Sequence, residues 1–544
     1  MPLCLLTDPW LPVRRRSGAR DIVAPPAIAA TETDPVVALD WPRPDFRVAG
    51  LEFLTGLLTL ACPPRNTGAW VRSFHTPPDA DALAEAFAPL AYAFVLDGDG
   101  PRFMQEWEEF TAGTNPVAAL LIEAPGAHTI KLNTDLLNKR GKVPVLSRAA
   151  AAMALFTLQT YAPSGGAGNR VGLRGGGPLT TMAIPPAPPG EGEVLLWHLL
   201  WSNVPCGEVP NEDELPRILP WLGPTRVSDK DGRPTTPDDV HELQAWWGMP
   251  RRVRLDFSKG AGEPCSLTGQ TDAVVVRSWR QRPWGFNYST WGKLHRLSPC
   301  YRTKPTEEWL YLHPQPGGIG YQHWLGLVSL DAGETRSVAP AVAEFRRVRA
   351  AETGVGQAPW RLLAAGFDMD NMKARGFAES EMPVQDPTDP AATVAHDALL
   401  RAMVRAAGEV VRLLANSVRR ALFSEGATVA LDAAPLAALR DRFWSETADA
   451  FFVRAAAAAS GMGDDDTRML WLKDIGRVAR RLFDEAAPVD ASGEGHPGRI
   501  ADAARQMDFA LRGYGKSGEA IFNALGAVLP EGARKAKTRK EKAA

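Results

Sequence analysis

The residues that most often carry out chemistry in enzymes are scattered along this 544-residue chain rather than grouped into a catalytic motif. His241 begins the segment HELQA, but no second histidine follows four residues later, so the zinc-protease helix pattern is absent. Residues 515–517, GKS, resemble the end of a phosphate-binding loop, but Ala510 stands where the first glycine of that loop belongs. Cys265 opens CSLTGQ, half of a zinc knuckle, with Thr268 in place of the second ligand. The sequence therefore predicts no active site, no metal and no cofactor.

A glycine-rich stretch is the strongest candidate for a functional loop. Residues 164–181, SGGAGNRVGLRGGGPLTT, contain seven glycines, and their only large polar side chains are Asn169, Arg170 and Arg174. Glycine has no Cβ, so such a loop can adopt positive φ and bring its backbone close to a partner. Arginine guanidinium groups and exposed backbone amides are hydrogen-bond donors that suit contact with a phosphate backbone or a nucleic-acid groove. A mobile surface loop would have the same composition.

Two further segments carry residue types found at nucleic-acid interfaces. Arg280 and Arg282 lie among Trp, Phe and Tyr residues, a pattern that suits a single strand or a groove but equally an amphipathic strand pair. The segment 365–375, AGFDMDNMKAR, places Asn371 and Met372 in a turn-prone stretch. Asparagine can bond to a base edge and methionine can wedge against a base step, although an ordinary solvated turn would look the same.

Composition limits the class of protein. Lys plus Arg (61) nearly balances Asp plus Glu (63), so the formal net charge is −2. A free-standing DNA-binding protein usually has an overall basic charge, so any nucleic-acid contact here is expected to be local. The five cysteines are scattered and odd in number, which favours a reducing compartment over a disulfide framework. Because we find neither a signal-peptide pattern nor a membrane-length apolar run, we expect a cytoplasmic protein with no membrane partner.

The hydrophobic pattern predicts an α+β protein with two domains. A large mixed α/β domain over residues 1–380 precedes a linker at 381–392, a C-terminal antiparallel four-helix bundle at 393–528 and a basic disordered tail at 529–544. Residues 3–13 are predicted to form a strand that enters a turn. Predicted helices cover 48–61, 80–95, 102–110, 148–161, 393–422, 434–459, 466–486 and 499–525.

Two basic segments lie outside the glycine-rich stretch. Residues 129–147, which include Lys131 and Asn133, are predicted to form a long basic loop with at most one turn of helix. The first bundle helix carries four arginines at intervals of four and seven residues, which places them on one helix face. These are Arg401, Arg405, Arg412 and Arg419. We interpret this row as a candidate path for a nucleic-acid strand, although exposed helix faces are often charged.

Five motifs occur in an order that resembles a known family. They are LLTDPWLPVR from residue 5, GLRGGGPLTT from 172, CSLTGQ from 265, HRLSPC from 295 and GFDMDNMKAR from 366. Together they resemble the large subunit of the type I-E CRISPR surveillance complex Cascade, the CasA family. The resemblance covers residues 3–385, whereas the C-terminal part agrees in its helical type and not in motif.

The resemblance implies a subunit without catalysis of its own. Its implied partners are the other Cascade subunits, the guide RNA, double-stranded target DNA and the CRISPR helicase-nuclease. Such subunits read the protospacer-adjacent motif from the minor groove, help open the duplex, hold the displaced strand and dock the nuclease. The competing hypothesis is a stand-alone nucleotide-dependent enzyme whose glycine loop binds phosphate. That enzyme needs a phosphate-loop lysine or a metal-ligating carboxylate pair near the glycines, and the sequence offers neither.

Carried over by position, the resemblance also implies which residues act. Lys131 and Asn133 match the loop that anchors the subunit on the guide-RNA end. Asn371 matches the wedge that splits the first target pair, where better-studied members carry Gln, and the groove-inserting cation maps to Arg282 or Arg280. The implied motif-reading set is Gly165, Gly166, Ala167, Gly168, Asn169, Arg280, Arg282, Asp370, Asn371 and Met372.

Overall fold

The computed structural model describes residues 1–29, 34–135, 140–166, 168–188, 191–229, 232–329, 333–354, 358–423, 434–488 and 496–533. The chain forms two compact units. The first consists of Met1–Gly318, Ala332–Gly356 and Trp360–Glu381, and the second of Ile319–Asp331, Gln357–Pro359 and Met382–Ala544. The architecture is mixed α and β with a helical C-terminal region, which confirms the predicted fold class. Most of the predicted basic tail lies outside the described residues.

The strands of the described residues are mostly short. They are β1 (Leu11–Arg15), β2 (Arg20–Val23), β3 (Val36–Leu39), β4 (Thr114–Pro116), β5 (Leu146–Ser147), β6 (Thr180–Ile184), β7 (Arg252–Lys259), β8 (Val274–Arg282), β9 (Cys300–Tyr301), β10 (Leu310–Tyr311), β11 (Arg336–Ser337), β12 (Trp360–Asp370) and β13 (Lys373–Val384). Their orders are β2-β1-β3, β10-β9-β11, β13-β12-β6 and β4-β8-β5, with β7 also paired to β8.

The helices of the described residues are α1 (Pro44–Ala61), α2 (Thr67–His75), α3 (Ala80–Phe87), α4 (Ala127–Lys131), α5 (Arg148–Tyr161), α6 (Leu196–Trp201), α7 (Leu215–Ile218), α8 (Trp324–Leu327), α9 (Pro340–Glu344), α10 (Ala350–Glu352), α11 (Thr393–Leu422), α12 (Ala434–Ala459), α13 (Asp464–Ala486), α14 (Pro497–Leu511) and α15 (Gly515–Leu525). The three longest, α11, α12 and α13, lie in the C-terminal part of the chain. Within the described ranges, no helix combines the length and the apolar character that crossing a membrane requires.

The core of the first unit holds both ends of the glycine-rich stretch. Helices α1 and α5 pack together and are buried along most of their length. Phe53 of α1 makes edge-to-face contacts with Trp10, Phe94, Phe103, Phe156 and Trp247. Such contacts hold rings in defined orientations. Helix α5 ends at Tyr161 and the fully buried strand β6 begins at Thr180, so the loop between them starts and ends in rigid core.

The predicted helix at 102–110 is wrong. The described backbone there is turn and irregular structure, because two polar side chains of this segment are buried and bonded to distant backbone and side chains. Gln105 donates to the Leu96 carbonyl (2.8 Å) and accepts from the Leu255 amide (3.0 Å). Glu106 accepts from Arg252 Nε at 2.8 Å. The backbone is also bonded outside the segment, since the Phe103 amide donates to the Val95 carbonyl (2.8 Å) and the Glu106 amide to the Val253 carbonyl (2.9 Å), so the i→i−4 ladder of a helix does not form.

Other predicted elements differ at their ends. The helix predicted over 80–95 is α3 followed by a 3-10 turn from Ala88 to Phe94, with Pro89 just after the change. The predicted strand at 3–13 begins only at Leu11. Strand β13 continues to Val384, so the first part of the predicted linker is extended.

The second unit is built around α11, which contacts α12, α13, α14 and α15. Trp471 of α13 is fully buried, and its indole N–H donates to the Met403 carbonyl at 2.9 Å. The helix predicted over 499–525 is divided into α14 and α15. Gly513 lies at the break with φ +92°, and a Cβ there would lie 2.7 Å from Pro530 Cδ. A side chain at that position would therefore be both strained and crowded.

Candidate nucleic-acid interface

The glycine loop, residues 164–179, is fastened to the end of strand β8. The Trp284 amide donates to the Gly168 carbonyl at 2.7 Å. Gly168 has φ +79°, and a Cβ on it would lie 2.4 Å from Pro283 Cβ. Only glycine fits here, since any side chain would meet a left-handed backbone and a ring at once. Gly168 is therefore the position where the loop packs onto its own protein.

Asn169 braces the first turn of the glycine loop. Its side-chain amide donates to the Gly165 carbonyl at 2.7 Å, and its side-chain oxygen accepts from Gln281 of β8. The backbone closes the same turn, because the Asn169 amide donates to the Gly166 carbonyl at 3.1 Å. Gly166 has φ +86°, and nothing lies within 4 Å of a Cβ built on it. Gly166 is thus the open position of the turn, and Ala167 lies outside the described residues.

The two arginines of the loop do not offer free guanidinium groups to a phosphate, which corrects the expectation from sequence. Arg174 is 3% exposed and donates to Glu52 Oε1 (2.6 Å), Ser298 Oγ (2.8 Å) and Thr180 Oγ1 (3.0 Å). Arg170 donates to Ser228 Oγ at 2.8 Å and lies over the Trp284 ring at 5.0 Å. Both side chains hold the loop to the body of the first unit.

The Glu52–Arg174 pair is charged although it is buried. Burial alone would raise the pKa of the Glu52 carboxyl, but the Arg174 charge, aided by His295, holds that pKa below its usual range. His295 Nε2 lies 3.2 Å from Glu52 Oε1. Burial and the Arg174 charge lower the His295 pKa to about 4, so the imidazole is neutral at neutral pH. The cluster of Glu52, Arg174 and His295 therefore fixes the geometry of the glycine loop, and His295 is the titratable group within it whose protonation can affect the loop.

Arg280 and Arg282 lie in different environments on β8. Arg280 is held by Asp256 (2.7 Å) and by the Phe110 carbonyl (2.5 Å). The Arg282 side chain is 36% exposed, lies over the Phe110 ring at 4.6 Å, and approaches Glu108 only at 3.7 Å. Arg282 is the one of the two whose guanidinium can leave its contacts at a small cost in free energy, since a long, exposed ion pair contributes little to stability.

The segment GFDMDNMKAR forms the end of a β-hairpin, in which Asn371 and Met372 connect β12 to β13. Asn371 has φ +58°, a conformation that asparagine tolerates better than most residues. Met372 is 50% exposed, and the Asp370 side chain is 70% exposed. Arg375 closes the base of the turn by donating to Asp368 at 2.7 Å. The tip is thus formed by an amide, a thioether and a carboxylate that all face solvent.

The glycine loop links this hairpin to β8. A Cβ on Gly177 would lie 2.7 Å from the Phe367 carbonyl and 2.9 Å from Met369 Cγ, so the end of the loop packs on β12. Its beginning packs on Pro283 through Gly168. The loop turn, the Arg282 end of β8 and the hairpin therefore belong to one connected part of the first unit.

The predicted assembly loop is partly helical. Helix α4 ends at Lys131, which is exposed, and Asn133 follows with φ +52°. Arg140 donates to Asn133 Oδ1 at 3.0 Å and to both oxygens of Asp135 at 2.7 Å. Lys139 lies outside the described residues. Arg140 thus holds Asn133 and Asp135 within this basic loop, and Lys131 is exposed to solvent.

The arginine row lies on α11 of the second unit, as predicted. Arg405 and Arg412 are exposed, and Arg412 pairs with Glu409 at 2.8 Å. Arg401 is half-buried and donates to Ser329 Oγ at 3.4 Å, and Arg419 is also half-buried. In the part of the chain that the structure describes, no cluster of His, Cys, Asp and Glu is suited to a metal ion.

Two residues that shape the interface were missed in the sequence, Glu52 and Gln281, and the contact of Trp284 with the glycine loop was also missed. Glu52 lies in a helix that is otherwise mostly apolar, which is the one available signal of a buried ion pair. Gln281 and Trp284 lie beside the predicted arginines, but nothing local shows that they contact a loop more than 100 residues earlier.

The fold defines a class of large α+β subunits with a helical C-terminal region, and solved structures share it. A Cse1 protein from Acidimicrobium ferrooxidans matches with a TM-score of 0.65 and 19% identity, over 96% of this chain and 99% of that one. A CasA protein from Thermus thermophilus matches with a TM-score of 0.67 and 18% identity, over 97% and 100%. A chain of a CRISPR RNA-guided surveillance complex matches with a TM-score of 0.66 and 16% identity, over 94% and 99%.

The family model for the CRISPR-associated protein Cse1 matches residues 5–482. The chain belongs to this family, and the resemblance to the large subunit of type I-E Cascade is confirmed.

Proposed function

We propose that this Cascade subunit reads the protospacer-adjacent motif of duplex DNA from the minor groove, helps to open the duplex and holds the displaced strand. In this proposal it has no catalysis of its own, anchors on the guide-RNA end of the complex and recruits the helicase-nuclease. One observation carries the proposal: the open turn at Gly166, the exposed guanidinium of Arg282 and the hairpin tip at Asn371 are joined through one glycine loop.

The chemistry of these groups suits the minor groove. That groove presents mostly acceptors, with the guanine amino group as the one added donor, so it is read by few and simple contacts. A backbone turn without a side chain at Gly166 can approach the base edges closely. An arginine in the groove meets its negative potential, and Arg282 has only a weak ion pair to give up. Such contacts would accept several related motifs.

The hairpin tip suits the opening of the duplex. Minor-groove proteins often insert apolar or amide side chains between base steps. Asn371 and Met372 stand at the turn of a hairpin whose strands are part of a sheet, so the tip is supported from behind. Asp370 beside them would repel phosphates and thereby favour contact with bases.

The remaining parts of the proposal rest on basic side chains. The α11 row, with Arg405 and Arg412 exposed, offers positive charge along about 27 Å of helix from Arg401 to Arg419. Lys131 supplies an exposed charge on the assembly loop. Recruitment of the helicase-nuclease is proposed from the family alone.

The motif-reading role is tested with a matched pair of arginine variants. Arg277 lies on the same strand as Arg282 and has nearly the same side-chain exposure, 38% against 36%. In gel-shift titrations of assembled complex with target duplex, Arg282→Gln should weaken motif-dependent binding by about 1–3 kcal/mol. Arg277→Gln should leave it unchanged.

A variant that places a charge at the open turn provides a second test of the motif-reading role. Gly166→Asp should weaken target binding by a similar amount, because it places a carboxylate where DNA phosphates approach, and Gly166→Ser serves as its uncharged control. Unchanged binding by both Arg282→Gln and Gly166→Asp, in complexes that assemble normally, would reject the proposed interface.

A further inference from the structure

One buried arginine of the first unit differs from the others in having no acidic partner. Among the described residues, the buried arginines are Arg174, Arg251, Arg252, Arg254 and Arg349. Four of them form salt bridges with a glutamate, the partners being Glu52, Glu106, Glu109 and Glu344. Arg251 is only 8% exposed, yet it forms no salt bridge with any described residue. Its charge is therefore buried without a counter-charge.

The Arg251 guanidinium is also incompletely hydrogen-bonded. Its Nη2 donates to the Pro163 carbonyl, which is a neutral group, and its buried Nε has no hydrogen-bond partner. Burial lowers the pKa of this guanidinium to about 10, and no neighbouring carboxylate raises it again, so the group is still charged at neutral pH. A buried charge without a partner is unfavourable for folding, so its presence here calls for a reason other than stability.

The backbone of Arg251 is held firmly in place. Gln159 of α5 accepts from the Arg251 amide at 2.9 Å and donates to the Arg251 carbonyl at 2.8 Å. Both bonds are buried, and α5 belongs to the core of the first unit. The uncompensated charge is thus attached to a rigid element and is not a side chain that wanders at the surface.

Arg251 lies against the first turn of the glycine loop. A Cβ on Gly165 would lie 3.2 Å from Arg251 Nη1, so a side chain at this position would crowd the guanidinium. The next residue is Gly166, the open position of the turn. Residues 164–179 contain no Asp or Glu. The turn therefore carries a positive charge that the loop itself does not cancel.

A second guanidinium beside the turn is anchored but not neutralised. Arg170 donates to the hydroxyl and the carbonyl of Ser228, and both of these groups are neutral. Neutral partners orient a guanidinium and leave its charge in place. Arg170 thus adds to the positive potential of the turn without reaching out to a ligand.

We infer that the turn at Gly165 and Gly166 holds a backbone phosphate of the bound DNA, and that Arg251 is the buried counter-charge of this phosphate. Hydrogen bonds between arginine and phosphate are strong because both groups are charged. Contacts to phosphates fix the register of a protein on the duplex and carry no sequence information themselves. Arg251 is therefore a positioning residue, which sets the base pairs that face Gly166 and Arg282.

This inference deepens the proposed function and rests on it for the presence of DNA at the glycine loop. It adds a phosphate contact to an interface that was argued from base-edge contacts alone. The absence of a counter-charge for Arg251 is a property of the free chain, so that part is testable without DNA.

Urea unfolding of the full-length chain tests whether Arg251 is uncompensated. Arg251→Met replaces the charge by an apolar side chain and should raise the urea midpoint or leave it unchanged, since no acidic partner is left behind. Arg252→Met is the matched control. Arg252 is the neighbouring residue with the same 8% exposure, but its loss leaves Glu106 unpaired and should lower the midpoint. Equal losses in both variants would make Arg251 a structural residue and would overturn the inference.

Duplexes with single neutral phosphates test the contact itself. Each motif-containing duplex carries one methylphosphonate, and its binding to assembled complex is compared with that of unmodified DNA. At one position beside the motif, neutralisation should weaken binding to wild type about 10-fold, whereas Arg251→Met should show no such difference. Arg251→Lys keeps the charge and should restore the sensitivity. Arg252→Met should also retain it. Because each protein is compared with itself on two DNAs, a general change in stability cancels.

Salt dependence gives a further readout that a purely structural role would not change. Arg251→Met should reduce the slope of log affinity against log salt by about 0.9, the value for one phosphate contact on duplex DNA. An unchanged slope, or equal sensitivity of wild type and Arg251→Met to every neutral phosphate, would overturn the inference.

Two other anions could supply the counter-charge, and the unfolding assay distinguishes them. Inorganic phosphate that raises the midpoint of wild type but not of Arg251→Met, with no coupled position in the DNA, would overturn the DNA assignment in favour of a free phosphate. The same result with poly-glutamate would overturn it in favour of an acidic protein partner.

This inference and the proposed function can fail separately. Normal motif binding by Arg282→Gln, together with one phosphate position coupled to Arg251, would reject motif reading by Arg282 and keep the phosphate contact. Weak motif binding by Arg282→Gln, with no phosphate position coupled to Arg251, would keep the interface and reject the role of Arg251.

Discussion

Replacing Gly168 by alanine should destabilise the glycine loop and disturb the Arg282 end of β8. Gly168 has φ +79°, and a methyl group there would lie 2.4 Å from Pro283 Cβ and 3.2 Å from Pro283 Cα. A left-handed backbone costs a residue with a Cβ about 1–2 kcal/mol. Forcing a methyl into a packed site costs about 1–3 kcal/mol more. The expected loss of stability is therefore about 2–5 kcal/mol.

Gly166 provides the matched control. Its φ of +86° carries the same backbone cost, but no atom lies within 4 Å of the added methyl group. Gly166→Ala should therefore lose only about 1–2 kcal/mol. Urea unfolding of the full chain, followed by tryptophan fluorescence, measures the difference, since the Trp284 ring lies 3.2 Å from the Gly168 Cβ position. Because Pro283 follows Arg282, Gly168→Ala should also weaken motif binding by the assembled complex.

Two results would refute this reasoning. Equal unfolding midpoints for the two alanine variants would mean that Gly168 does not pack on Pro283. A less stable Gly168→Ala with normal motif binding would mean that the loop is structural and lies outside the interface. A charged residue at Gly168 would not distinguish DNA repulsion from loop strain, which is why the charge probe belongs at Gly166.

Three further predictions concern the hairpin, the assembly loop and the buried histidine. Asn371→Gly keeps the positive-φ turn but removes the side chain. In stopped-flow assays with a fluorescent base, this variant should slow the opening of intact duplex but not of pre-opened targets. If Met372→Ala shows this selective defect instead, the wedge lies one residue further along the chain. Replacing Lys131 and Asn133 by alanine should release the subunit from the complex in size-exclusion chromatography, and full retention with altered motif preference would contradict this. His295 has a folded pKa of about 4 against about 6.5 when unfolded, so stability should fall by up to about 3 kcal/mol as pH drops from 6.5 to 4. His295→Gln should remove that part of the pH dependence of the urea midpoint, and an unchanged pH dependence would exclude His295 as its source.

Local patterns in the sequence determined the long regular elements. The helices over 148–161, 393–422 and 434–459 were predicted at the bounds that the structure shows. Those over 393–422 and 434–459 bury residues at helical spacing, whereas the helix over 148–161 is an alanine-rich segment that is buried on nearly all sides. The order of the five motifs was enough to identify the family from the sequence alone. The glycine-rich stretch was recognised as the strongest candidate for a functional loop, but its composition did not distinguish it from a mobile surface loop.

Only tertiary structure decided what each polar side chain of the interface does. Arg174 looked like a DNA contact, yet it is an ion-pair partner of Glu52, 122 residues away in sequence. Arg280 and Arg282 are equivalent in the sequence and differ only because Asp256 and the Phe110 carbonyl hold the first. The physical reason is general: periodicity records which face of an element is buried, whereas the partner of a charge is set by chain segments that folding brings together.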